Sequence, residues 1–231
     1  MWPPAGRCDT ISSDSIREAK ESVVEIICGG AAGITGTGFL INHDGYFVTA
    51  AHLVGYLANF SAHARCDPLV EVANGGWDAQ TFAPTVSLQG FPFDPTRCVA
   101  DARGDVAACL LNVNPFVDDA TKSRVLAASL DINVKREDGT EVAFIGFPLN
   151  HTFPLVMRSS IAAYDLDMPS GEPEMIIGTD CWHGSSGSPV FAGGKVVGLV
   201  VEKRDSEPGL CFARPSSVIA NLLRTHNIGF H

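Results

Sequence analysis

The chain has 231 residues, of which 45% are hydrophobic and 18% are charged, so it can bury a substantial core and does not have the composition of a disordered protein. Its net charge of −10 argues against a nucleic-acid partner, because phosphate binding needs clustered Lys and Arg. No stretch approaches the roughly 18 consecutive apolar residues of a transmembrane helix, so we expect no membrane partner. The 23 glycines and 14 prolines are spread along the chain, which is typical of many short strands joined by turns.

The N-terminal segment and the cysteines indicate the cellular compartment of the protein. The segment Met1–Cys8 lacks the apolar centre of a secretory signal peptide, so we expect the protein to be cytoplasmic or the chain to be a trimmed form. Seven cysteines, an odd number, lie at positions 8, 28, 66, 98, 109, 181 and 211. We expect most of them to carry free thiols in a reducing compartment, which also favours the cytoplasm.

The first half of the chain is predicted to hold one short helix followed by strands. The helix ends at Lys20 and is capped by Ser13 or Asp14. Two apolar runs then predict a β-hairpin, and a short helical turn follows them. These three segments are Val23–Ile27, Thr37–Ile41 and Val54–Phe60. Between residues 61 and 98 the apolar runs are short, and we expect a few strands and enlarged loops there.

The second half is predicted to consist mainly of strands. Pro115–Ala128 is polar and irregular, which favours a crossing segment between two halves of the molecule. Strands are predicted near 141–145, 155–161, 174–179, 190–191, 195–201 and 211–213. A terminal helix is predicted from Pro215 to Arg224, where a cap is followed by helical apolar spacing.

The segment Gly184–Pro189 places Ser186 in a glycine-rich turn. A nucleophilic serine needs nearby backbone N–H groups that point to the spot where the substrate's carbonyl oxygen becomes negative. Gly184 allows such a turn of the backbone, and Gly187 allows a substrate to come close. We predict that Ser186 is a nucleophile and that the N–H groups of Gly184 and Ser186 form an oxyanion hole. The alternative is a serine in a turn without chemistry.

A serine nucleophile needs a base that is held by a third group. His52 follows the apolar run Tyr46–Ala51, and Asp105 opens the apolar strand Val106–Val113. The order His52, Asp105, Ser186 is one of several chain orders that build the same catalytic geometry. Each fragment alone is weak evidence, but the three together predict a catalytic triad.

Other cysteines and histidines give weaker signals. His63 and Cys66 suggest a metal site, but a structural zinc ion needs four ligands and no second pair is present. We therefore expect neither a metal nor an organic cofactor. Cys181 lacks flanking glycines and is expected in a pocket wall rather than as a nucleophile. His183 lies three residues before Ser186 and is predicted to contact substrate.

Taken together, these segments resemble the trypsin-like serine peptidases, and within them the HtrA-like branch. The resemblance runs from about Ser15 to about Leu223 and rests on Ser22–Ile26, Gly36–Ile41, Asp44–Thr49, Val142–Pro148 and Gly209–Pro215. It implies an all-β, chymotrypsin-like fold of two antiparallel six-stranded barrels with a short N-terminal and a C-terminal helix. The implied boundaries are an extension over 1–20, a first barrel over 21–115, a second over 116–214, and a helix with tail over 215–231.

The resemblance also implies a function. A serine endopeptidase would cut protein or peptide substrates through His52, Asp105, Ser186 and an acyl-enzyme. Two alternatives stay open: a pseudoprotease scaffold that holds peptides without cutting them, and a protease that is latent until an activating partner orders its oxyanion loop. Oligomeric state and physiological substrate are not indicated.

The substrate specificity is predicted from positions that align with the primary pocket of trypsin. Asp180 lies where trypsin has the acidic floor of its primary pocket, which predicts cleavage after Arg or Lys. One pocket glycine of trypsin aligns with Lys203, which can neutralise that carboxylate, and the other aligns with Gly209. A preference for small or apolar residues, as in many HtrA-like relatives, is therefore the alternative. The remaining pocket residues are predicted to be His183, Val201 and Glu202.

Two departures from trypsin concern activation and the triad. Ser185 stands where trypsin has the aspartate that pairs with a new N-terminus, so activation by that ion pair is not expected. Val201 stands where trypsin has a serine that supports the catalytic aspartate. Another donor or a water molecule must therefore support Asp105.

Overall fold

The computed structural model describes residues 11–28, 34–62, 68–73, 88–119, 122, 125–132, 136–151, 153–167, 171–202, 204 and 206–231. These residues form thirteen β-strands in two antiparallel sheets, together with three α-helices. The predicted all-β, chymotrypsin-like fold is confirmed, although the first sheet differs from the predicted six-stranded barrel.

The first sheet has seven strands and is called the first barrel below. Its strands are β1 (Val23–Cys28), β2 (Ile34–Leu40), β3 (Tyr46–Ala50), β4 (Leu69–Ala73), β5 (Leu88–Pro92), β6 (Val99–Asp101) and β7 (Val106–Leu110). Their spatial order is β5-β4-β1-β2-β3-β7-β6. The three-residue strand β6 pairs with β7 at one edge, β5 forms the other edge, and the sheet is a half-barrel. The end of β5 meets the end of β7 through a single bridge, Phe93 with Leu111.

The second sheet is a closed six-stranded barrel, called the second barrel below. Its strands are β8 (Glu141–Gly146), β9 (Leu155–Asp167), β10 (Pro173–Ile177), β11 (Pro189–Ala192), β12 (Lys195–Glu202) and β13 (Cys211–Pro215). They close in the order β10-β13-β12-β11-β8-β9. All six strands predicted for this half are confirmed, and β9 continues further than its pattern indicated.

A shared apolar core joins the two barrels. Side chains alternate along a strand, so each sheet has one face inside its barrel and another available to the neighbouring barrel. Ile26 and Leu40 lie in the core of the first barrel, whereas Phe39 packs in a cluster that includes Phe147 and Leu199 of the second. Burial of this cluster holds the barrels side by side and leaves their seam open as a cleft.

Three α-helices complete the described chain: α1 (Ser13–Lys20), α2 (Ala51–Ala62) and α3 (Ser216–Thr225). The cap of α1 is Ser12, one residue earlier than predicted, because its side chain accepts the N–H of Ser15 over 3.0 Å. The helix α3 follows Pro215 as predicted. None of the described helices is long and apolar enough to cross a membrane.

The helix α2 is longer than the short turn predicted over Val54–Phe60. It starts immediately after β3, so that His52 is its second residue. Leu53, Val54 and Leu57 recur at helical spacing and are buried in the core of the first barrel. This packing extends the helix beyond what its local sequence signals indicate.

The expectation of mostly free thiols is wrong. Disulfides join Cys98 to Cys109 and Cys181 to Cys211, and Cys28 is also disulfide-bonded. The partners lie on neighbouring chain segments, with Cα atoms 4.3 Å and 5.3 Å apart, and sequence spacing alone does not reveal this proximity. The cysteine argument for a reducing compartment is lost, and the cytoplasmic location stays a prediction without that support.

Candidate active site

A cleft with a volume of about 480 Å³ contains all three residues of the predicted triad. His52 and Asp105 come from the first barrel, and Ser186 comes from the turn before β11 in the second. His183 and Val201, predicted to contact substrate, line the same cleft. The sequence analysis therefore assigned to one site residues as far apart in the chain as His52 and Ser186, which are separated by 134 positions.

His52 and Asp105 lie at the same end of two paired strands. Ala50 of β3 is the register partner of Val106 of β7, so the residues that flank this pair are adjacent. Asp105 Oδ2 lies 2.7 Å from His52 Nδ1, and Asp105 Oδ1 accepts the backbone N–H of His52 over 2.8 Å. One carboxylate therefore fixes both the backbone and the ring of the histidine, and it leaves Nε2 as the nitrogen able to accept a proton.

The Ser186 hydroxyl has a different partner in this structure. Its Oγ donates to the backbone C=O of Val201 over 3.5 Å. Between these described side chains, no hydrogen bond joins Ser186 Oγ to the imidazole of His52. Catalytic hydrogen bonds in ligand-free enzymes are often long and tighten only when substrate is bound.

Two glycines give the turn around Ser186 its shape. Gly184 has a φ of 91° and Gly187 a φ of 88°, a region that other residues rarely adopt. A Cβ at position 184 would collide with the carbonyl oxygen of Phe147, and a Cβ at 187 would collide with that of Thr37. Both positions therefore require glycine, because the backbone conformation is unusual and a Cβ would not fit. The sequence analysis expected the turn at Gly184 and a close approach at Gly187 for these reasons.

Thr37 of β2 anchors this turn to the first barrel. Its backbone N–H donates to the C=O of Ser186 over 2.9 Å. Its Oγ1 donates to the C=O of Gly184 over 2.7 Å and accepts the N–H of Phe147 over 3.0 Å. The sequence analysis placed Thr37 in a strand only. The flanking glycines of Gly36-Thr37-Gly38 were the one local signal of a close backbone approach.

The carbonyl before Gly184 is held by a neighbouring turn. Leu149, which has a φ of 56°, donates its N–H to the C=O of His183 over 2.7 Å. Within the described part of the chain, the N–H groups of Gly184 and Ser186 have no backbone acceptor. These two donors are therefore available to a bound oxygen atom, as an oxyanion hole requires.

Of the residues predicted to form the specificity pocket, His183 and Val201 line the cleft, whereas Asp180 and Gly209 do not. Asp180 Oδ1 accepts the N–H of Gly209 over 2.9 Å, and neither residue is in the lining of the cleft. Glu202 ends β12, where its backbone pairs with Phe212. Lys203 lies outside the described residues, so its effect on Asp180 stays a prediction.

Two aromatic residues in the cleft were missed by the sequence analysis. Tyr56 lies four residues after His52 on α2, with ring centroids 6.2 Å apart. Residues at this helical spacing share one face, so a correct length for α2 would have revealed it. Trp182, which lies between Cys181 and His183 in the sequence, also lines the cleft.

Metal-ligating side chains do not cluster in the described ranges. No three His, Cys, Asp or Glu residues there lie close enough to hold a metal ion. His63 and Cys66, the pair considered in the sequence, lie outside the described residues.

Comparison with known proteins places the chain in a family. The trypsin-like peptidase domain matches residues 36–199, more than half of the chain, and this segment includes His52, Asp105 and Ser186. The chain belongs to the trypsin-like peptidases. No curated protein sequence matches this peptidase significantly.

Solved structures of proteases share the fold of this peptidase. The active form of the Rv3671c protease from M. tuberculosis has a TM-score of 0.69 at 18% identity, covering 100% of this chain and 95% of that one. A serine endoprotease from Yersinia pestis has a TM-score of 0.66 at 19% identity, with 98% and 68% covered. The HtrA-type protease AlgW, in a structure with a tripeptide, has a TM-score of 0.66 at 15% identity, with 94% and 63% covered. The peptidase is a serine protease with the fold of the HtrA-like branch.

Proposed function

We propose that this peptidase is a serine endopeptidase that cuts protein substrates through His52, Asp105 and Ser186. The observation that carries the proposal is the double contact of Asp105 with His52 in the cleft that also contains Ser186. Such a carboxylate selects the imidazole tautomer that can act as a base on a serine hydroxyl. The glycine-shaped turn with two available N–H donors supplies the second requirement of acyl transfer.

In the proposed mechanism, Ser186 Oγ attacks the peptide carbonyl while His52 Nε2 takes the hydroxyl proton. The carbonyl oxygen becomes an oxyanion, which the N–H groups of Gly184 and Ser186 stabilise. His52 then gives its proton to the leaving amine, the C–N bond breaks, and an acyl-enzyme remains on Ser186. Water, deprotonated by His52, attacks the acyl carbon; the C–O bond to Ser186 then breaks, His52 returns the proton to Oγ, and the second product leaves as a carboxylic acid. Asp105 holds the ring and stabilises the imidazolium in both steps.

The walls of the cleft favour a small or apolar residue at P1, the substrate residue whose carbonyl is attacked. Val200, Val201 and Cys181 line the cleft and are buried apolar groups. Asp180 already accepts a hydrogen bond from Gly209 N–H, so its carboxylate has a partner without a substrate cation. Cleavage after Arg or Lys, the first prediction from the sequence, is the alternative and requires Asp180 to form the pocket floor.

Two exposed aromatic side chains extend the proposed substrate site onto both barrels. Tyr56 is 58% exposed and Trp182 is 39% exposed, and both line the cleft. Large apolar groups left exposed at one cleft are typical of a binding surface. Tyr56 belongs to the first barrel's helix α2, whereas Trp182 lies two residues before Gly184 in the second. Peptides with apolar residues next to the cleaved bond are therefore the favoured substrates.

Quenched fluorogenic peptides that differ only at P1 test this function and its specificity. We expect Ala, Val or Leu peptides to be cut faster than Arg or Lys peptides. Ser186→Ala should lower turnover by roughly 10⁶-fold, as in comparable triads. Ser188→Ala is the matched control, because Ser188 Oγ is buried without a hydrogen-bond partner among the described residues. Normal turnover in Ser186→Ala would move the nucleophile, and faster cleavage after Arg or Lys would establish Asp180 as the pocket floor.

The same assay separates the two rival functions. A protein that binds the peptides without cutting them is a protease-fold scaffold, and this result would overturn the proposal. A protein that cuts only after a second protein is added is a latent protease with an activating partner.

A further inference from the structure

Arg214 on β13 spans the two barrels next to the candidate triad. Its Nε donates to the C=O of Gly104, the residue before Asp105, over 3.1 Å. Its Nη1 lies 3.4 Å from both the C=O of Pro173 and Glu174 Oε1 in the second barrel. The side chain is 11% exposed and lines the cleft. One guanidinium therefore connects the second barrel to the loop that carries Asp105.

The second-barrel end of this connection is a buried carboxylate shared by two arginines. Glu174 is 1% exposed, and its Oε1 also accepts Arg204 Nη2 over 2.9 Å. The Arg204 guanidinium lies 3.8 Å from the centre of the Phe212 ring. Glu174 Oε2 is buried without a partner in the described part of the chain. Ion pairing offsets the cost of burying a carboxylate, so this arrangement fixes the position of the Arg214 guanidinium.

The first-barrel end of the connection is the peptide group that joins Gly104 to Asp105. Asp105 has a φ of 51°, a conformation uncommon for residues other than glycine, so local preferences alone do not hold it there. A hydrogen bond to the Gly104 oxygen fixes the plane of this peptide group and hence the start of the Asp105 side chain. The planar fork of arginine can bind Gly104 and Glu174 at the same time, which a point charge cannot do.

In trypsin, a serine side chain donates a hydrogen bond to the catalytic aspartate, and Asp105 lacks this donor. The aligned position is Val201, which is buried and has no donor on its side chain. In the described part of the chain, the hydrogen bonds to the Asp105 carboxylate come from the backbone and the ring of His52. The backbone around Asp105 is held on both sides: Ala51 of the first barrel donates its N–H to the Asp105 C=O over 3.1 Å, and Arg214 of the opposite barrel donates to the Gly104 C=O.

We propose that Arg214 is a positioning residue for the reaction: it orients Asp105, and through Asp105 the base His52, by holding the Gly104 carbonyl. This inference rests on the proposed function, in which Asp105 fixes His52. Removal of Arg214 then lowers the rate of the chemical step while substrate binding stays nearly unchanged, because the guanidinium is mostly buried and its hydrogen bonds go to protein groups.

A double-mutant cycle of Arg214→Met and Asp105→Asn tests the proposal. The readouts are kcat and KM with a fluorogenic peptide and the rate of inactivation by a fluorophosphonate. We expect Arg214→Met to lower kcat by roughly 10- to 100-fold, the scale of a small misplacement of a catalytic group, with KM within about 2-fold of wild type. In the Asp105→Asn background, Arg214→Met should cause no further loss. Arg158→Met is the matched control, since Arg158 lies in the same barrel and pairs only loosely with Glu141, at 3.7 Å.

Each outcome separates this inference from the proposed function. If Asp105→Asn reacts as fast as wild type, the triad itself is wrong. If Asp105→Asn is slow but Arg214→Met lowers kcat equally in both backgrounds, or not at all, Arg214 is not a positioning residue. If Arg214→Met does not give a cooperative thermal transition, Arg214→Lys takes its place in the cycle. Lysine keeps the charge but reaches only one of the two partners, and wild-type kcat in that variant would overturn the proposal.

Discussion

The backbone N–H of Thr37 donates to the backbone C=O of Ser186 over 2.9 Å, and so joins the two barrels at the candidate nucleophile. The Thr37 hydroxyl adds a bond to the C=O of Gly184 and accepts the N–H of Phe147. The oxyanion turn is therefore built by the second barrel but held in place by the first. Its geometry depends on how the barrels dock.

Thr37→Val should weaken both catalysis and folding. Valine fills nearly the same space but leaves the Gly184 carbonyl without its donor and the buried Phe147 N–H without its acceptor. We expect a loss of about 1–3 kcal/mol in the free energy of unfolding and a fall in kcat of roughly 10- to 100-fold. Urea denaturation and peptide turnover measure the two effects. Thr37→Ser keeps the hydroxyl and should behave like wild type, whereas a normal kcat in Thr37→Val would show that this anchor is dispensable.

Glu25 should make the stability of the fold depend on pH. It is buried on β1, with Glu71 of β4 as its register partner. Burial first, and then the Glu71 carboxylate, raise the pKa of Glu25 from 4.5 to about 7. The folded state therefore binds more protons than the unfolded state between these two values. Glu25 therefore makes its full contribution to the free energy of unfolding below pH 4.5. That contribution, at most about 3 kcal/mol, is lost as the pH rises through 7.

Urea denaturation between pH 5 and pH 8 checks this dependence. Glu25→Gln should flatten the decline, because glutamine does not titrate. Glu71→Gln removes the neighbouring charge and should reduce the decline only in part, since burial is the larger cause of the raised pKa. An unchanged decline in Glu25→Gln would assign the pH dependence to other groups.

Glu174 should be a strong determinant of stability. Its carboxylate is buried and pairs with Arg204 and Arg214. Glu174→Gln removes the buried counter-charge that Arg204 and Arg214 share, although Arg204 keeps Glu207 Oε1 at 3.8 Å, and breaking a buried ion pair in this way costs about 3–5 kcal/mol. Glu141→Gln is the comparison, because its ion pair with Arg158 is partly exposed and is expected to contribute less than about 1 kcal/mol. Equal unfolding free energies for the two variants would contradict this prediction.

Thiol counting should find few free cysteines. Five cysteines of the described residues are disulfide-bonded, and the bond of Cys28 requires a sixth cysteine, which leaves at most one of the seven free. We expect denatured, non-reduced protein to react with a thiol reagent at no more than one site, and reduced protein at all seven. Five or more reactive thiols before reduction would restore the original expectation from the sequence.

The sequence predicted those parts of the molecule whose signals are local. Strands of the second barrel follow short apolar runs bounded by turns, and all of them were found. The motifs around His52 and Ser186 are also local, because an apolar strand end and a pair of glycines constrain each side chain directly. Asp105 was assigned from its order in the chain, and the structure brings it within 2.7 Å of His52 Nδ1.

Contacts between distant segments were not predictable in this way. Arg214 and Gly104 are 110 residues apart, and Thr37 and Gly184 are 147 apart. Their pairing depends on how two barrels dock, which no periodicity along one strand encodes. The Cys181–Cys211 pairing depends on the closure of the second barrel for the same reason. The length of α2 was underestimated because its stability comes from packing in the core rather than from local signals.

Reaction with a fluorophosphonate, followed by mass spectrometry of the digested protein, tests the proposed triad most directly. The account predicts a single adduct on Ser186, absent from Ser186→Ala and formed about 10⁴-fold more slowly in Asp105→Asn, as in comparable triads. An adduct on Ser185 or Ser188, or an unchanged rate of labelling in His52→Ala, would contradict the account.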